Sequence, residues 1–171
     1  MREDEIARCV EPLIPGLRRY AYSLVRNGDA ADDLVQDCLE RAVSRWHLRR
    51  TDGDLRAWLY AILRNHHLSA MRQLGRRGIH VTFDELTQQP SVEGGQGEVA
   101  YARDVLTALD MLSEEQRSVL LLVGVEDLSY EETSRVTGLP IGTVMSRLSR
   151  AREKLRRFID DGVRPGLRRV K

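Results

Sequence analysis

The chain has 171 residues, 42% apolar and 31% charged, which excludes a disordered polymer and suits one or two globular domains. No apolar run approaches the ~20 residues that span a bilayer, and the N-terminal MREDEIARCVEP lacks a signal-peptide core, so a cytoplasmic protein without membrane insertion is expected. The formal net charge of +1 conceals an uneven distribution. Residues 101–134 carry 2 basic and 8 acidic side chains, and residues 135–171 carry 11 basic and 3 acidic, so a stretch near −6 precedes one near +8. That split predicts an acidic face for one partner and a basic face for a polyanion.

Leu, Ala, Arg and Glu dominate, and the expected fold is all-α. Residues 1–75 read as helices with short polar breaks. Leu13, Leu17, Tyr20, Ala21, Leu24 and Val25 recur at helical spacing. Asn27-Gly28 is expected to stop that helix and Asp29 to cap the next. In the second helix Leu34, Cys38, Leu39, Ala42 and Val43 fall on one face, and Asp32, Asp33, Gln36, Asp37 and Glu40 on the other. Thr51-Asp52-Gly53-Asp54 marks a break. A third helix then runs towards Arg72, with Leu55, Trp58, Leu59, Ile62 and Leu63 inward. Its other face carries Arg56, Tyr60, Arg64 and His67 in one stripe, and basic and aromatic groups so interleaved suit single-stranded DNA. Cys9 and Cys38 read as free thiols.

Residues 76–100, with five glycines or prolines and no sustained period, read as an acidic flexible linker. Helices resume over 101–160, and 161–171 is a basic tail. Ser113 with Gln116 and Ser129 with Glu132 match the capping-box pattern. The stretch LSYEETSRVTGLPIGTVMSRLSRAREKLRRF has the spacing of a helix-turn-helix, with Gly138 in the turn. On its second helix Val144, Leu148, Ala151 and Leu155 point inward. Thr143, Met145, Ser146, Ser149 and Arg150 are left outward, ringed by Arg147, Arg152, Lys154, Arg156 and Arg157. Short polar side chains ringed by arginine suit a major groove, where they approach base edges while the arginines hold phosphates.

The helix-turn-helix residues resemble domain four of the extracytoplasmic-function sigma factors. ADDLVQDCLERA at 31–42 resembles the core-binding helix of domain two in that family, and LRAWLYAILRN at 55–65 its promoter-melting helix. The resemblance covers 10–75 and 101–158, and the short linker matches a subgroup without the middle domain of larger sigma factors. It implies two small helical domains: sigma domain two at 1–75 and sigma domain four at 101–160. The implied partners are core RNA polymerase, promoter DNA and an anti-sigma factor. Asp33, Gln36, Asp37 and Glu40 are expected to dock on the coiled coil of the largest polymerase subunit. Arg56, Tyr60, Arg64, Asn65 and His67 are expected to meet minus-10 DNA, and the loop from Trp46 to Asp54 to hold a flipped base. Thr143, Met145, Ser146, Arg147, Ser149, Arg150 and Arg152 are expected at the minus-35 element. The linker is expected in the RNA exit path.

Enzyme motifs are absent from the sequence, and no cofactor, metal or small-molecule substrate is expected. His47, His66, His67 and His80 have no partners at metal-ligand spacing, and no glycine-rich phosphate loop occurs. A dimeric helix-turn-helix repressor is the competing reading within DNA binding, and a sigma mimic that titrates an inhibitor is the competing reading outside it. The repressor leaves the acidic second helix and the basic-aromatic stripe without a role, and the mimic has no need of the intact basic helix at 141–157.

Overall fold

The structure, a computed structural model, describes residues 3–50, 53–77 and 104–160. Every element among them is helical, as expected. The chain opens with α1 (Glu3–Val10), a 3₁₀ turn (Glu11–Leu13) and α2 (Ile14–Val25), with prolines in the first turns of the latter two, where their missing N–H costs nothing. It continues through α3 (Gly28–Ser44), a 3₁₀ turn (Trp46–Leu48) and α4 (Leu55–Arg76). α2 ends on Arg26 in the left-handed region (φ 59°). The cap of α3 is Asn27, not Asp29: Asn27 Oδ1 accepts the Ala30 N–H at 2.9 Å. Asp29 lies inside the first turn, where its charge favours the helix dipole. Asp54 caps α4 by accepting from the Arg56 amide. The expected linker lies, from residue 78, outside the described residues.

α2, α3 and α4 pack around Leu17, Tyr20, Leu24, Val35, Cys38, Ala42, Leu59 and Leu63, all buried. On α3 the inward face takes Val35 rather than Val43. Val43 is 46% exposed and lines an apolar groove between α1 and α3 with Ile6, Val10 and Leu39. Cys38 donates its S–H to the Leu59 carbonyl, and burial pushes the thiol pKa up to about 12. Cys9 is exposed, and both cysteines are free. Because the thiolate is the nucleophile, iodoacetamide at neutral pH should add one adduct per native chain, at Cys9, and two only in denaturant, as read by intact mass. Two adducts under native conditions would contradict this packing.

The second half contains α5 (104–110), α6 (Glu114–Gly124), α7 (Tyr130–Thr137) and α8 (Ile141–Asp160). Both expected capping boxes are present. Ser113 accepts from the Gln116 amide, Ser129 accepts from the Glu132 amide, and the N3 side chain returns each bond. Gly138 ends α7 at φ 71°, a conformation glycine adopts without steric penalty, and Ser134 Oγ donates to the Leu139 carbonyl to fix the turn. Val119, Val144 and Leu148 close α8 onto α6. The halves also pack on each other: α4 lies against α7 and α2 against α6, so one buried apolar cluster runs through both.

Candidate functional site

Three surfaces bear on function. The first is the outer face of α3. Asp33, Gln36, Asp37 and Glu40 are all exposed there, as their spacing predicted. Gln36 donates to Glu40 at 3.1 Å, and Asp37 lies 2.8 Å from His66 Nε2 of α4. Asp32, on the same helix, is held by both nitrogens of Arg18 at 2.7 and 2.9 Å. His66 is the residue that sequence reasoning missed. It orients Asp37 from 29 positions away, and no local pattern signals it.

The second surface lies at the start of α4. A cleft of about 640 Å³ is lined by Leu48, Arg49, Arg50, Gly53, Asp54 and Trp58, with Arg135 of α7 at its edge. Trp58, read from periodicity as core, is half-buried and contributes to the cleft wall. It meets Trp46 edge to face at 6.0 Å, and the Arg49 guanidinium sits 5.0 Å from the Trp46 ring centre. Aromatic faces beside arginines form a chemically suitable receptor for an unstacked base.

The stripe on α4 continues from that cleft, and the second half of the chain covers most of it. Asn65 is exposed and Arg56 half-buried, with its guanidinium 5.9 Å from the Tyr60 ring centre. Tyr60, Arg64 and His67 are buried. The Tyr60 hydroxyl donates to Glu126 Oε2 at 2.6 Å, and Arg19 grips the same carboxylate through two bonds of 2.8 and 2.7 Å. Burial, with the Glu126 bond and charge, raises the Tyr60 phenol well above its ordinary pKa, so it stays a donor. Arg64 donates to Ser118 Oγ at 3.0 Å, and the Ser118 and Tyr20 hydroxyls are bonded at 2.6 Å. His67 Nε2 lies 3.1 Å from Glu114 Oε1. Burial opposes ionisation of Glu114, but the His67 bond, with the charges of His67, Arg117 and Arg64, holds its carboxyl below the ordinary value.

The third surface is the outward side of α8. Met145, Ser146, Ser149, Arg150 and Arg152 are exposed, with Met145 at 50%, and Thr143 is half-buried. Arg147 departs from its neighbours: it lies over α6, 2.6 Å from Glu115, with its side chain 24% exposed. Ser146 donates to the Thr143 carbonyl, which leaves its oxygen lone pairs outward as acceptors. Among the described residues no group of three or more His, Cys, Asp or Glu forms a metal site, and no helix is long and apolar enough to cross a membrane.

Residues 10–64 match the Sigma2 domain of PhyR, and residues 102–155 match Sigma-70, region 4. The chain is similar to the ECF RNA polymerase sigma factor EcfG of Rhodopseudomonas palustris (strain TIE-1), at 37% identity over 155 residues, 91% of this chain and 82% of the relative. Among solved structures it is similar to the sigma factor RpoE of Bartonella quintana, determined in complex with the anti-sigma factor NepR. That likeness has a TM-score of 0.77 and 34% identity, and covers 91% of this chain and 97% of the other. It is also similar to CnrH, determined in complex with the cytosolic domain of CnrY, with a TM-score of 0.71, 26% identity and coverage of 95% and 92%. Two sigma domains in family order, and a relative that shares more than a third of its residues along most of both chains, show that this chain belongs to the extracytoplasmic-function sigma factors, which bind core RNA polymerase and promoter DNA to initiate transcription.

Proposed function

We propose that the chain divides promoter recognition between its halves: α8 reads the minus-35 element as duplex, and α4 with the Trp46–Asp54 loop captures the minus-10 element as single strand. The carrying observation is α8, whose outward side presents Met145, Ser146, Ser149 and Arg150 at the surface of a helix-turn-helix. Arg152 holds a phosphate, and Arg147 does so on exchanging Glu115 for DNA. The cleft between Arg49 and Trp58 takes the flipped base. Asp33, Gln36, Asp37 and Glu40 dock on a basic polymerase surface. The likeness to a sigma factor solved with NepR supports an anti-sigma partner for this chain also.

Met145 allows a direct test. A cation there bonds a guanine edge or a phosphate, whereas Met packs on a thymine methyl. Met145→Arg should strengthen promoter binding and steepen its salt dependence by about one phosphate contact. It should also shift preference at one minus-35 position by ~1–3 kcal/mol. Selection from a promoter library with reconstituted holoenzyme reads this out. Identical minus-35 preferences for the two proteins would remove Met145 from the DNA contact set.

A further inference from the structure

The acidic side chains of α3 are not all held alike. Asp32 spends both carboxylate oxygens on Arg18, Oδ1 on Nε at 2.7 Å and Oδ2 on Nη2 at 2.9 Å, so its charge is answered within the chain. Asp37 is held by one oxygen only. Its Oδ2 lies 2.8 Å from His66 Nε2, while no bond among the described residues reaches Oδ1, and the side chain is 53% exposed. Glu40, a turn further on, takes the Gln36 amide on Oε1 in the same manner. Asp37 and Glu40 therefore each keep an oxygen for a partner, and Asp32 does not.

His66 reaches Asp37 from the neighbouring helix, since α4 packs along α3. Its side chain is 19% exposed, so the ring is largely enclosed while the carboxylate it holds stays open to solvent. A carboxylate has no proton to give, so the imidazole is the donor, either as the neutral Nε2–H tautomer or as the cation. The bond survives both charge states of the ring.

We infer that His66 is a positioning residue for polymerase docking: from α4 it fixes Asp37 by one oxygen and leaves the other for a cationic side chain of the polymerase. An unrestrained aspartate loses rotamer freedom when a partner captures it, and that loss weakens binding. Asp37 has given up that freedom before the partner arrives. Because the anchor lies on a different helix, the carboxylate is set by the packing of α4 on α3 and not by α3 alone. This inference rests on the reading of the outer face of α3 as the docking surface.

Binding of the full chain to immobilised core polymerase tests it, with circular dichroism of every variant as the control for folding. His66→Leu keeps an apolar body against α3 and removes the donor. His66→Gln places an amide N–H close to the position of Nε2. His66→Leu should weaken binding about 3- to 10-fold, the range set by ordering one interface side chain afresh. His66→Gln should recover most of that loss. In an Asp37→Ala background His66→Leu should cost nothing further, because the group through which His66 acts is gone. An undiminished affinity in His66→Leu, beside a weakened Asp37→Ala, would overturn the positioning role and leave the docking reading standing. So would equal losses from His66→Leu with and without Asp37, or a loss that His66→Gln fails to restore, since packing alone accounts for either. An Asp37→Ala chain that binds core as tightly as the unsubstituted one would remove Asp37 from the docking surface, and the inference with it.

Discussion

Asp37→Lys with Glu40→Lys will abolish co-purification with core RNA polymerase while leaving the helical circular-dichroism signal unchanged. Both side chains are exposed on the outer face of α3, and the helix is held to its neighbours from the other face by Leu34, Val35, Cys38 and Ala42. The exchange therefore leaves that apolar packing in place and reverses the sign of the proposed docking surface. Like charges brought together across an interface cost several kcal/mol, and on the order of 3 kcal/mol corresponds to a loss of more than 100-fold in affinity. Asp37 also gives up its bond to His66, which frees that imidazole and adds a further donor to a surface meant to be acidic. A double variant that co-purifies normally would move the docking face elsewhere.

Tyr60→Ala with Arg64→Ala will spare recruitment to the promoter and block its opening. Recruitment is proposed to run through α3 and α8, which neither residue touches through a described hydrogen bond or ion pair. Opening depends on capture of unstacked bases, and loss of one aromatic stacking partner removes ~1–3 kcal/mol per base. Permanganate reactivity of minus-10 thymines reports opening directly. A second variant separates the two tasks given to Tyr60. Tyr60→Phe keeps the ring and removes only the donor to Glu126, so it should open promoters at least as well as the unsubstituted protein. Wild-type reactivity in the double alanine variant would end the assignment of this stripe to melting.

Much of this architecture was legible because it is local. The Ser113 and Ser129 boxes and the Gly138 turn each act within a few residues, so composition and spacing reveal them. The inward face of α8 likewise follows from period alone: Val144, Leu148 and Ala151 are buried. Less was legible where two candidates satisfied the same rule. Asn27 and Asp29 both cap helices, and Asn27 prevails because Arg26 takes the left-handed turn one residue earlier than Asn27-Gly28 suggests. Val35 and Val43 both adjoin the apolar stripe of α3; Val35 is buried in the core, and Val43 is left exposed in the groove beside α1. The packing of the halves was not legible at all. Arg19 with Glu126 and Tyr20 with Ser118 lie 107 and 98 residues apart, and each residue read alone is an ordinary helix-surface or core residue. The charge asymmetry was the one trace of that contact in the sequence, and it did not say that the acidic face would meet the chain's own first half.

The measurement that bears most directly on the central claim is runoff transcription on genomic fragments with purified core polymerase, with and without this chain, and with the start sites sequenced. The account predicts discrete starts only when both are present, preceded by a shared pair of minus-35 and minus-10 elements. It also predicts that the chain alone leaves duplex promoter DNA unshifted in a gel. Start sites unaltered by the chain, together with a stable shift of duplex DNA by the chain alone, would contradict it and describe a repressor instead.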